Sequence, residues 1–400
     1  MDFFIIIFAH MHTLKQEVLH ELTTNILPWW AENMTDPEGG FYGRRDGYCQ
    51  LDPDAPKGLI LNARILWTFS AAYRVLGEPQ YLKTAQRAAR EVMDRFCDPE
   101  FGGAYWSLDA HGNPLDNKKQ FYAIAFAIYG LAEYFRATSS DKALGCAINL
   151  YHSIDTHSRD TERGGYIEAC TRDWRPIEDM RLSDKDQNDA KTMNTHLHIL
   201  EGYTNLYRVW KDDQLHSRLR ELVELFLDRI TGADGHLQLF FDEDWNLHGQ
   251  IRSYGHDIEC SWLLWEAAEV LGDEDIIARC REVCPRIARA SMEGFTRFGG
   301  MIYEWNMTAA QKHTNRDWWV QAETVVGCFN QYQMTGKACW LGAARAAWAF
   351  IKEHIIAPDG EWYWGANEAF APDTDNDRAG FWKCPYHNGR MCLELIERIK

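Results

Sequence analysis

The sequence predicts an all-α protein, an (α/α)6 barrel of six inner and six outer helices with short β-hairpin-like turns between repeats. Three observations predict it. A glycine-rich turn returns six times at a spacing of roughly sixty residues. Two helix-like segments lie between successive turns. Those segments alternate between apolar all round and amphipathic, which separates buried helices from surface ones.

The turns read PEGGFYGRRDG at Pro37–Gly47, PEFGGAYWSLDAHG at Pro99–Gly112 and ERGGYIEACTRDW at Glu162–Trp174. They continue as ADGHLQLFFDEDW at Ala233–Trp245, RFGGMIYEWN at Arg297–Asn306 and PDGEWYWGANE at Pro358–Glu368. One helical hairpin cannot bury its apolar face without its neighbours, so the period implies one large domain.

Taken in order, the first helix covers residues 12–34, with Leu14, Val18, Leu22 and Ile26 as a stripe at four-residue spacing. A nearly all-apolar helix follows at 58–76 and an amphipathic one at 79–96, with Lys83, Arg87 and Arg90 outward. Further apolar helices start near 118, 190, 255, 317 and 385, and amphipathic ones near 141, 213, 274 and 338. The first helix reads as outer and the last as inner, so the termini can pair and close a ring rather than leave an open solenoid. Residues 1–10 carry a short apolar run, too short to span a bilayer and without the positive start of a secretory signal. They read as an N-terminal extension, disordered or not native, ahead of a single catalytic domain at 11–400.

Composition bounds the partners. The chain has 400 residues and a formal charge of -17, which excludes a phosphate backbone and an anionic membrane surface as natural partners. The eleven cysteines show no CxxC pair and read as reduced thiols of a cytoplasmic protein. A closed barrel needs no partner subunit, so a monomer is expected.

Polar residues break the openings of the apolar helices. A buried polar group without a partner costs about 2–7 kcal/mol, so each needs a reason. The openings carry Asn62 and Arg64, then Tyr122, then Asn194 and His198 one turn apart. The fourth places His256, Glu259 and Trp262 on one stripe, the fifth Trp319 and Glu323, and the last Trp382, His387 and Arg390. In a barrel of this kind all inner helices start at one rim, so these residues converge on one funnel. Helix N-termini there suit a developing oxyanion. Each also has a plainer reading. His196 lies on the opposite helical face from His198 and reads as structural. Glu259 and Glu323 read equally as ligand contacts or as buried partners of Arg64 and Arg390. Trp319 and Trp382 are core filler or stacking faces for a sugar ring. HLH at 196–198 diverges on a helix, and the HxxE of His256 and Glu259 has no second copy, so no metal is expected.

The segments KTMNTHLHILEGYTNLYRVW, GHDIECSWLLWEAAEVLG, WWVQAETVVG and WKCPYHNGRM resemble the cellobiose 2-epimerases of the N-acylglucosamine 2-epimerase superfamily. The resemblance runs from about Leu14 to the C-terminus. GHDIE followed by SWLL, with WKCPYHNGR, looks like the disaccharide branch. It implies reversible C2 epimerisation of the reducing-end glucose of β-1,4-linked disaccharides, cellobiose to glucosyl-mannose and lactose to epilactose, without cofactor or metal. It also implies roles: His256 and His387 as the acid/base pair, with His198 and Glu259 assisting ring opening. Arg64, Tyr122 and Asn194 would hold hydroxyls, and Trp319 and Trp382 would stack on the sugars.

The chemistry suits these residue types. A neutral imidazole takes the C2 proton of the open aldehyde, leaving a cis-enediol(ate), and a second, protonated imidazole returns one to the opposite face. Arg64 stabilises the charge on O1. For glucose to mannose, His387 is assigned as base and His256 as acid. A glycoside hydrolase on the same barrel would need two flanking carboxylates, for which Glu259 and Glu323 are available, but the rim histidines would go unexplained. An aldose–ketose isomerase would return the proton to C1, and a non-catalytic sugar-binding scaffold would show no turnover.

Overall fold

The computed structural model describes residues 2–183 and 186–400, with side chains described from Met11 onward except at 184–185. Twelve long helices alternate along the described residues. α1 is Asp2–Glu21, carried through a π turn at Leu22–Ile26 into Leu27–Asn33. α2 is Leu59–Leu76, and α3 is Pro79–Glu91 with a π turn at Val92–Phe96. α4 is Phe121–Thr138, α5 is Asp141–His157 and α6 is Met193–Val209. α7 is Asp213–Leu225 with a π turn at Phe226–Ile230, α8 is Tyr254–Leu271 and α9 is Glu274–Ser291. α10 is Trp318–Thr335, α11 is Ala338–His354 and α12 is Tyr386–Arg398. The first helix extends back to Asp2, so the expected boundary at residue 10 coincides with no break in it.

The even-numbered helices form the inner ring. Each packs on the next, and α12 returns to α2. Every residue from Leu59 to Ala72 in α2 and from Phe121 to Tyr134 in α4 is buried. The odd-numbered helices lie outside and bury one stripe only, as Tyr81, Ala85, Ala88 and Ala89 do in α3. Aliphatic and aromatic side chains on two helical layers therefore make one continuous core.

The six turns are six copies of one hairpin. Each is closed by an antiparallel bridge: Thr35 to Phe41, Cys97 to Ala104, Arg159 to Tyr166, Thr231 to Leu237, Phe295 to Met301, and Ile356 to Trp362. Glycine is needed where the hairpin meets its neighbour. At Gly165, with φ +78°, a Cβ would lie 2.4 Å from Trp245 and 2.8 Å from His196 Nε2.

The backbone just before each of five inner helices pairs with the following repeat. Lys57–Gly58 pairs with Ser107–Leu108, Lys119–Gln120 with Ala169–Cys170, and Lys191–Thr192 with Phe240–Phe241. Ile251–Ser253 pairs with Glu304–Asn306, and Arg316–Asp317 with Gly365–Ala366. These short ladders bring the inner-helix N-termini to one rim. A second, less visible repeat ties five of the six hairpins to the inner helix that follows. Lys57 meets Asp36 at 2.7 Å, Lys119 meets Asp98 at 2.8 Å, Lys191 meets Asp160 at 2.8 Å and Lys383 meets Glu361 at 2.6 Å, all with the lysine buried. His236 and Asp257, 2.7 Å apart, take this place in the fourth repeat.

Closure of the ring uses the chain ends. Glu361 accepts from Trp30 Nε1 of the first outer helix at 2.6 Å and from Asn388 of the last inner helix at 2.8 Å. Trp362 Nε1 donates back to Glu21 at 2.8 Å.

Candidate active site

The openings of the six inner helices surround one floor of charge, centred on Arg390. Its side chain is fully buried and forms ion pairs with three carboxylates: Glu259 at 2.7 Å, Glu323 at 2.6 Å, and Glu201. The three acids come from α8, α10 and α6, so a single guanidinium on α12 joins four inner helices. The Trp262 and Tyr386 rings lie against it at 4.7 and 4.2 Å. Desolvation by burial and the like charge of Glu323 push the Glu259 pKa up, while Arg390 opposes them.

Above this floor stand the histidines. His387 Nδ1 lies 2.7 Å from Glu323 Oε1. A carboxylate only accepts, so Nδ1 carries the hydrogen and Nε2 keeps its lone pair. His256 Nδ1 lies 2.7 Å from the Ser253 hydroxyl. Both rings contact Trp319, with centroids at 4.8 Å for His256 and 5.6 Å for His387. His198 Nδ1 bonds Glu201 at 2.9 Å, and its ring meets Tyr122 edge-on at 4.9 Å.

Arg64 forms the opposite wall. It donates to the Tyr122 hydroxyl at 2.9 Å and lies over the Phe126 ring at 4.1 Å. Its other partners are the Trp382 carbonyl at 3.4 Å and the Cys384 sulfur. Among the described residues, no carboxylate pairs with it. A buried cation held only by neutral groups is prepared for an anionic oxygen. Trp382 stands beside it, 6.1 Å from Tyr122 and 6.0 Å from Trp106. Asn194 is half-buried, and its side-chain oxygen has no partner among the described residues.

Burial lowers the pKa of all three histidines, to about 3 for His256 and well below the usual value for His387, where Arg64 and Arg390 add to the effect. The desolvated wall and the two guanidinium groups thus favour the neutral imidazole until negative charge arrives.

The structure brings His198, His256, His387, Arg64, Tyr122, Trp319 and Trp382 around this one funnel, and Asn194 stands one helical turn before His198 on α6. Glu259, Glu323 and Trp262 lie at its base, each at most 1% exposed, with Glu259 Oε1, both Glu323 oxygens and Trp262 Nε1 engaged by protein partners. Glu259 and Glu323 pair with Arg390, and Arg64 pairs with neither. His196 faces away: Nδ1 donates to the Thr192 carbonyl at 2.6 Å and Nε2 accepts from the Tyr166 amide at 2.9 Å. Glu259, Glu323 and His387 have the donor set of a metal site, with ligand atoms within 4.8 Å of one another. The Arg390 guanidinium already occupies the position between the two carboxylates that a cation would need. Among the described residues, no helix is long and apolar enough to cross a membrane.

Comparison with known proteins decides the family. Residues 40–388 match the family profile described as N-acylglucosamine 2-epimerase (GlcNAc 2-epimerase). The chain belongs to this epimerase family. Within it the likeness is to cellobiose 2-epimerases. The chain is 56% identical to "Cellobiose 2-epimerase" of Bacteroides fragilis, over 96% of this chain and 98% of that protein. It is 40% identical to the protein of the same description from Ruminococcus albus, over 96% and 98%. The solved cellobiose 2-epimerase of Bacillus thermoamylovorans superposes with a TM-score of 0.92 at 40% identity, covering 97% of this chain and all of that one. The (α/α)6 barrel expected from the turns is thus the fold of its relatives.

Sequence reasoning missed Glu201, Ser253 and Tyr386. Two left a trace, since Glu201 stands one helical turn after His198 and Tyr386 one turn before Arg390. Ser253 sits ahead of its helix, where serine ordinarily reads as a cap.

Proposed function

We propose that this protein is a cellobiose 2-epimerase, interconverting glucose and mannose at the reducing end of a β-1,4-linked disaccharide. The observation that carries the mechanism is the pair of imidazoles in contact with Trp319, one backed by a carboxylate and one by a hydroxyl.

The sugar enters as its ring form and opens to the aldehyde, with His198, held by Glu201, beside the ring oxygen. His387 Nε2 then takes the hydrogen at C2. The C–H electron pair becomes the C1–C2 double bond of a cis-enediolate, and the carbonyl electrons move to O1. Arg64, without a carboxylate of its own, meets that oxygen. Glu323 stabilises the new imidazolium through Nδ1–H. The enediolate charge lets His256 take up a proton from solvent, and His256 delivers it to C2 from the other face as the O1 electrons return to re-form the carbonyl, leaving His256 neutral. The reverse reaction exchanges the two roles, and solvent resets the protons. Trp319 and Trp382 offer flat faces to the sugars, and Tyr122 and Asn194 offer polar groups to its hydroxyls.

Glu259 and Trp262 act from below, by fixing Arg390 and Glu323. The closed ring supports a monomer, and eleven free thiols support a cytoplasmic setting. Size-exclusion chromatography with light scattering tests the first of these. The decisive experiment for the activity is cellobiose in deuterated water, followed by NMR. Glucosyl-mannose carrying deuterium at C2 is the expected result. Released glucose would indicate hydrolysis, a ketose would indicate isomerisation to C1, and inversion without label would exclude proton transfer.

A further inference from the structure

Ser253 occupies the residue just before α8, where a serine hydroxyl ordinarily accepts from the backbone N–H three residues on. Thr192, at the matching place before α6, does this, accepting from the Thr195 amide at 3.1 Å. Ser253 does not. Its hydroxyl makes no cap bond and is turned onto His256 Nδ1 at 2.7 Å. The backbone there is held by its pairing with Glu304, and the side chain is 2% exposed, so the hydroxyl is fixed close to the ring. The helix forgoes a cap for this contact.

The partner type is also informative. His387 has a carboxylate behind it, which accepts only and keeps a hydrogen on Nδ1. A hydroxyl both donates and accepts. It accepts from Nδ1–H both when His256 is imidazolium and after Nε2 has given up its proton, and it donates to a bare Nδ1 in the alternative Nε2–H tautomer. A histidine that is acid in one direction and base in the other is thus held in one ring orientation throughout its transfer. Burial already disfavours imidazolium at His256, so an unpartnered Nδ1–H would disfavour it further.

We infer that Ser253 is the positioning residue for His256: its hydroxyl fixes the ring through Nδ1 and accepts from Nδ1–H as Nε2 exchanges its proton, supporting protonation of C2 from the face opposite His387. This rests on the proposed epimerisation.

The test is Ser253→Ala beside Ser253→Thr, on cellobiose in deuterated water. Removal of the C2 hydrogen by His387 would continue, but delivery from His256 would slow. Ser253→Ala should lower kcat by about tenfold to a hundredfold with KM little changed. Labelled cellobiose recovered by return from His387 should rise relative to labelled glucosyl-mannose. Ser253→Thr, which keeps the hydroxyl, should restore both towards wild type. A purely structural role would lower the melting temperature and leave the ratio of labelled cellobiose to epimer unchanged, and that outcome overturns the inference. An active wild type with an unaltered Ser253→Ala variant overturns this inference alone. A wild type that leaves cellobiose unchanged overturns it together with the proposed function.

Discussion

Replacing Glu323 by glutamine removes one charge and almost no volume, so it isolates what the carboxylate does for His387. Glu323 Oε1 accepts from His387 Nδ1 at 2.7 Å and from Arg390 at 2.6 Å, while Oε2 accepts from Trp262 Nε1 at 3.0 Å. Glutamine has one oxygen for three donors, and its amide must turn N–H groups toward at least one of them. The cost falls mainly on the intermediate, when His387 becomes imidazolium and needs a negative partner. A hydrogen bond to a charged group is worth about 1.5–3 kcal/mol. At roughly 1.4 kcal/mol per factor of ten, kcat should fall by about 10- to 150-fold. Protein donors occupy both oxygens, so KM should change little. Initial rates of epimer formation from cellobiose, measured by NMR, give both constants, and circular dichroism checks the fold. A correctly folded variant with wild-type kcat, or a loss expressed wholly in KM, would refute the carboxylate–imidazole reasoning.

Three further outcomes are expected. Lys383→Met leaves Glu361 buried with its charge uncompensated where the ring closes, and should cost about 3–5 kcal/mol, read as a lowered urea midpoint. Trp262→Phe removes the Nε1 donor to Glu323 but keeps an aromatic face for Arg390, so kcat should fall several-fold, by about 1 kcal/mol of barrier, with stability nearly unchanged in thermal melts. Burial pushes Glu168 up to about 8, above the 4.5 of a free glutamic acid, despite its bonds to Thr192 and Thr195. Its stabilising contribution is then complete below the unfolded pKa and lost as pH rises through the folded one, at about 1.4 kcal/mol per unit. Glu168→Gln, neutral throughout, should flatten the decline in melting temperature between about pH 5 and pH 8; an unchanged slope would show that Glu168 does not carry it.

Much of the architecture is a local property of the chain. The hairpin repeats through glycines and aromatics at fixed places, and inner and outer helices differ in how much apolar surface each sequence must hide. Both are carried by neighbouring residues, so the barrel, its rim and most residues around the funnel follow from the string of letters. His198, His256 and His387 were legible because each interrupts an apolar segment at its opening turn. Partnership was not legible, because it depends on which side chains meet after the ring has closed. The sequence left Glu259 and Glu323 open between ligand contacts and partners of Arg64 and Arg390, and nothing near Arg390 says that it takes both and Glu201 besides, leaving Arg64 without a carboxylate. Nothing near Ser253 says that its hydroxyl turns from the helix to a ring. The charge state of the histidines belongs to the same class: it is set by desolvation and by the combined field of several helices, neither of which exists until the chain has folded.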